Sequence, residues 1–143
     1  MRIVLDTNVL VSGLLSPFGP SARILDLVLA GDLTPIFDDR ILAEYGQVLA
    51  RERFGFVPDD VVSLLHYLEV EGEHITAHPT SAMLPDPDDL PFLEVALTAR
   101  VEALITGNLR HYPTELCQGI TILSPASFLD YWRHRSPCAI SGS

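Results

Sequence analysis

Three apolar residues in a row, Ile3, Val4 and Leu5, followed at once by Asp6-Thr7-Asn8, constrain this chain more than any other feature. A short apolar run without alternation is what a strand covered on both faces requires, and such strands belong to parallel sheets layered between helices. Asp6 then falls at the carboxyl end of a central strand, where open α/β sheets place their chemistry. The same Asp-Thr-Asn triplet also suits the N-cap of a following helix. Both roles are open at this point.

The rest of the chain repeats the alternation. Val9–Leu15 reads as a helix, broken by Ser16-Pro17-Phe18-Gly19-Pro20. Ser21 can cap a second helix through about Ala30, closed by Gly31. Thr34–Phe37 is a strand candidate, and Asp38-Asp39 can cap a helix running to about Arg53, with Ile41, Leu42, Tyr45, Val48 and Leu49 as its apolar face. A further helix starts near Pro58, and His74–Ala77 is a weaker strand candidate. His78–Pro91 is a proline-rich loop, followed by a helix carrying Phe92, Leu93, Ala96 and Leu97. Ala103–Thr106 and Ile120–Leu123 are the last strands, and Ser124 or Ser127 starts a terminal helix. This order predicts one three-layer α/β/α domain over residues 1–135, with a mainly parallel sheet. Residues 136–143 lack periodicity and read as a disordered C-terminal tail.

Composition narrows the chemistry. All nine basic residues are arginine, so a lysine-dependent phosphate loop and Schiff-base catalysis are excluded. No GxGxxG fingerprint or GxSxG elbow is present. Cys117 and Cys138 have neither disulfide-framework nor zinc-ligand spacing. The net charge of −10 repels nucleic acid and counts against a passive nucleic-acid-binding module. It counts less against a metal-dependent enzyme, whose carboxylates are neutralised by cations. With no membrane-length apolar run and no signal-peptide pattern, a cytoplasmic location is expected.

Three polar features fall at equivalent places: Asp6 after the first strand, Asp86-Pro87-Asp88-Asp89 before a helix, and Asn108 after a later strand. In a parallel sheet these positions share one edge, so Asp6, Asp89 and Asn108 can converge there, with Glu44 reaching in from its helix. Asp89 extends the buried stripe of Phe92, Leu93 and Ala96, whereas Asp88 is rotated aside and Asp86 precedes the helix. The competing role for Asp88 or Asp89 is a simple N-cap. Carboxylates gathered at one edge repel one another unless a cation offsets them. Mg²⁺ or Mn²⁺ fits, since these ions favour oxygen ligands and phosphate chemistry.

Four segments in order, LDTNVLVSGLL, LAEYGQVLAR, DPDDLPFLEVAL and LITGNLRHYP, resemble the PIN-domain family, especially the toxins of prokaryotic toxin–antitoxin pairs. The resemblance runs from Ile3 to about Trp132. It implies a metal-dependent ribonuclease fold around a parallel sheet of about five strands, acting on single-stranded RNA. It also implies an antitoxin partner that blocks the acidic cleft, and a homodimer formed through the early helices. By this likeness Asp6, Glu44 and Asp89 match the acidic metal site, and the catalytic set is Asp6, Glu44, Asp89 and Asn108. Asn108 stands where many members carry a fourth aspartate, and it offers an amide oxygen without charge.

Around that set, Thr7, Asn8 and Thr106 are expected to orient water or carboxylates, and Asn8, Thr106, Arg110 and His111 are candidate substrate contacts. For His111 the alternative is a solvent-facing loop histidine. Arg40, Arg51 and Arg53 read as helix-surface or salt-bridging residues. Two other functions compete. Asn108 and the negative charge fit a catalytically silent module that binds only a protein partner. An aspartyl-phosphate phosphatase using Asp6 is opposed by Asn8 two residues on and by the missing lysine.

Overall fold

A computed structural model describes residues 1–141, with side chains described through Arg135. The expected tail at 136–143, with Cys138, lies outside the described side chains. The helix into which it runs is traced to Ser141.

Five strands, β1 (Arg2–Leu5), β2 (Thr34–Phe37), β3 (Glu73–His74), β4 (Ala103–Ile105) and β5 (Ile122–Leu123), form one parallel sheet in the order β3-β2-β1-β4-β5. Six α-helices flank it: α1 (Thr7–Leu15), α2 (Pro20–Leu29), α3 (Asp39–Leu49), α4 (Pro58–Glu71), α5 (Leu90–Ala99) and α6 (Pro125–Ser141). This is the expected α/β/α architecture. Ile3, Val4 and Leu5 are fully buried, because β1 has a strand on each side and α5 packs across β1, β2 and β4. Among the described residues no helix is long and apolar enough to cross a membrane.

Several boundaries differ from expectation. The third strand is shorter and earlier than His74–Ala77, and β5 begins at Ile122 rather than Ile120. The second helix starts at Pro20, with Gly19 rather than Ser21 at its N-cap. Proline at the first helical position needs no backbone N–H, so Pro20 initiates the turn directly. Ser124 rather than Ser127 caps α6, its Oγ accepting from the Ser127 amide at 3.1 Å. The helix expected to reach Arg53 ends at Leu49, and a separate 3₁₀ turn, Glu52–Phe54, follows.

The strand order decides where ligands can enter. From β1 the chain steps outward to β2 and β3, then returns to the other side of β1 for β4. The crevice at the carboxyl ends of β1 and β4 is therefore the topological switch point of the sheet. Asp6 lies at one side of it, and its amide bonds to the Ile105 carbonyl at 2.9 Å. Thr106-Gly107-Asn108 lies at the other.

Candidate active site

Asp6 occupies the N-cap position of α1, yet its side chain makes no capping hydrogen bond. Its Oδ2 instead accepts from Thr106 Oγ1 at 2.9 Å and from the Tyr112 hydroxyl at 3.0 Å. The side chain is therefore not a helix cap, and its carboxylate is turned toward the switch point. Burial pushes its proton affinity up, while the Thr106 and Tyr112 hydroxyls and the Thr7 amide oppose that rise.

The other acids are oriented in the same way, each by a neighbouring donor. Thr7 Oγ1 donates a hydrogen bond to Glu44 Oε2, so α1 and α3 are joined through the residue next to Asp6. The Glu44 carboxyl is raised first by burial and then by the charge of Asp6, against the Thr7 bond and Arg51. Asp89 stands at the start of α5, also without a capping bond. Its Oδ2 pairs with His111 Nδ1 at 2.7 Å, and its pKa is raised to about 6, mainly by burial and by Asp6. Asp86 caps the turn instead, accepting from the Asp88 amide at 3.0 Å, and Asp88 is exposed. Asp89 is thus the buried aspartate of its loop.

Asn108 sits beside this group. Its Nδ2 lies 2.9 Å from His111 Nε2, and its amide bonds to Thr106 Oγ1 at 3.0 Å. His111 therefore bridges Asp89 and Asn108 rather than facing solvent as a lone loop histidine. Asn8 Oδ1 accepts from the Gly107 amide at 2.8 Å, which pins the end of β4 to α1. Arg110 is exposed and makes no side-chain hydrogen bond or ion pair among the described residues. Arg40 does form ion pairs, to Asp38 and Glu94 at 2.8 Å.

Sequence reading missed two participants. Tyr112 is buried against Asp6, and the only hint was an aromatic following His111. Asp86 joins Asp89 and His111 in a group whose donor atoms lie within 4.8 Å of one another, a geometry that could hold a metal ion. Thr7, Asn8, Glu44, Asp86, Asp88 and Asp89 line a cavity of about 580 Å³ that also takes in Arg51, Arg53 and Phe54. Asp6 does not line this cavity; it is buried, with its charge acting on both Glu44 and Asp89.

A family profile described as "PIN domain" matches residues 2–110. The chain belongs to the PIN-domain family. That match spans all the acidic residues above, and His111 and Tyr112 lie just beyond it. Among solved structures, VapBC2 from Rickettsia felis, crystallised with a DNA fragment from its promoter, is 18% identical. The match covers 87% of this chain and 98% of that one, with a TM-score of 0.58. VapBC-1 from nontypeable Haemophilus influenzae is 15% identical, covering 88% and 99% of the two chains with a TM-score of 0.57. At these identities the likeness is one of PIN fold. A search of curated protein sequences finds no match.

Proposed function

We propose that this PIN domain is a Mg²⁺- or Mn²⁺-dependent endoribonuclease that cleaves phosphodiester bonds of single-stranded RNA. The observation that carries this reading is the convergence of buried Asp6 and Asp89 with half-buried Glu44 from three separate elements, each carboxyl raised in proton affinity. Held together without a cation, they destabilise the site they form. Their carboxylate oxygens suit a hard divalent ion, and Asp89 is shared with the described group whose donor atoms lie within 4.8 Å of one another, Asp86, Asp89 and His111.

When bound, such an ion supplies positive charge against a phosphodiester and makes water a nucleophile at neutral pH. The protein's own residues supply orientation. Thr106 and Tyr112 fix Asp6 and Thr7 fixes Glu44, so neither carboxylate spends rotamer entropy on meeting a ligand. Asp89 enters from the start of α5, and His111 Nδ1 holds its Oδ2 in place. Asn108 acts through His111 Nε2 rather than as a fourth charge.

Likeness to VapBC2 and VapBC-1 supports a place as the toxin of a toxin–antitoxin pair, with a cognate antitoxin covering the acidic cleft and a cytoplasmic location. The α1–α2 corner leaves Phe18 94% exposed beside half-exposed Leu15, which supports a homodimer through the early helices.

Purified protein incubated with a mixed RNA pool, with and without Mn²⁺, tests the activity by end mapping of the products. Cleavage should require Mn²⁺ and vanish in Asp6→Asn. Cleavage of equal extent by both proteins defeats the assignment. The silent protein-binding module is favoured by one observation, the uncharged Asn108, and predicts no metal-dependent product at all.

A further inference from the structure

We propose that Arg51 and Arg53 form a phosphate grip on the wall of the acidic cavity, holding the backbone of a single-stranded nucleic acid beside the carboxylate cluster. The inference rests on the nuclease reading above and assigns the part of the site that meets the substrate strand.

A chain of net charge −10 must hold a polyanion through local positive charge. Four of its nine arginines are tied to carboxylates among the described residues: Arg2, Arg40, Arg133 and Arg135. Arg51 and Arg53 are not, and both line the cavity that contains Glu44 and Asp89. Arg51 is near enough for its charge to act on the Glu44 carboxyl. Neither guanidinium makes a hydrogen bond to the protein among the described residues, so both keep their donors for a ligand.

Their position follows from the early end of α3. With the helix closed at Leu49, Arg51 is extended (φ −65, ψ 130) and the 3₁₀ turn carries Arg53 to the cavity. A continuing helix would rotate them by about 100° per residue around its axis instead. Arg53 lies over the Phe54 ring, 4.8 Å from its centroid, and Phe54 stacks on Phe56 at 5.6 Å and 20°. Gly55, at φ 67, lets the chain turn between the two rings, and Phe56 is packed against the core. A guanidinium held this way loses little freedom on meeting a phosphate.

Binding of a short labelled oligouridylate, followed by anisotropy in the Asp6→Asn protein so that the strand stays intact, tests the grip. Arg51→Gln and Arg53→Gln should each weaken binding roughly tenfold. Together they should flatten the slope of log K against log salt by about 1.4, since a single strand gives about 0.7 per phosphate contact. Lysine at both positions should restore the slope, while Arg23→Gln on α2 should change neither quantity. The deoxy version of the oligonucleotide should show the same loss of slope, because arginine here reads phosphate and not sugar. An unchanged slope in the double variant, or no oligonucleotide binding by the parent, overturns the proposal. Mn²⁺ titration of the Arg51→Gln/Arg53→Gln protein with Asp6 intact judges the nuclease site separately: retained Mn²⁺ binding leaves the site standing whatever becomes of the grip.

Discussion

Replacing Asp89 by asparagine should stabilise the cation-free protein at neutral pH, by an amount that follows from its surroundings. Burial and the Asp6 charge raise its pKa from 3.8 to about 6. The folded state therefore holds a proton that the unfolded chain releases earlier. Stability falls as pH rises through this interval and stays lower above it, the opposite sense to a salt-bridged aspartate. At 1.36 kcal/mol per tenfold, the interval corresponds to a penalty of about 3 kcal/mol at pH 8. Asparagine removes that penalty but weakens the 2.7 Å contact with His111, so a net gain of about 1–2 kcal/mol is expected. For a chain of this length that is a rise in Tm of about 3–7 °C. Thermal unfolding in chelator at pH 4 and pH 8 measures it: the gain should be present at pH 8 and absent at pH 4, where the weakened His111 contact leaves the variant about 1 kcal/mol less stable than wild type. Equal shifts at both pH values, or a variant less stable at pH 8, would refute the electrostatic reasoning.

Other perturbations probe the supports of the site. Tyr112→Phe removes one of two hydroxyl donors from buried Asp6 and should cost about 1–3 kcal/mol in urea unfolding at pH 8. Mn²⁺ affinity should fall with it. Arg40→Met leaves buried Asp38 and Glu94 without their shared partner; Glu94 also takes the Thr80 amide at 2.8 Å. Because Arg40 is half exposed, the loss in urea unfolding should be about 2 kcal/mol rather than that of a fully buried pair. Gly13→Ala would put a Cβ 2.6 Å from Leu25 Cδ1 and 3.1 Å from the Ser21 carbonyl. Since α1 and α2 must then move apart, a loss of about 1–3 kcal/mol is expected by the same assay.

What could be foreseen, and what could not, has a common physical basis. The run Ile3-Val4-Leu5 announces a doubly covered strand, and a parallel sheet then places Asp6 at the ligand edge whatever the loops do. Asp89 follows from the helical stripe of Phe92, Leu93 and Ala96, a purely local relation. Glu44 is harder: its helix lets it reach toward that edge, but no local pattern fixes it beside Asp6, and the resemblance to PIN domains supplies that pairing. Tyr112 and Asp6 are separated by 106 positions, and no local periodicity encodes a contact across that distance. Arg51 and Arg53 read as helix-ending charges because Gln47-Val48-Leu49-Ala50 continues a good helical pattern. The helix stops at Leu49, and the extended Arg51 and the 3₁₀ turn after it bring both arginines to the cavity.

The central claim is that three separated carboxylates form one cation site. Titration calorimetry of Mn²⁺ into the wild-type protein and into Asp6→Asn addresses it without need of a substrate. Saturable binding in the wild type, accompanied by proton release near pH 6 and abolished in the variant, is the predicted result. Binding of equal affinity in both proteins would contradict it.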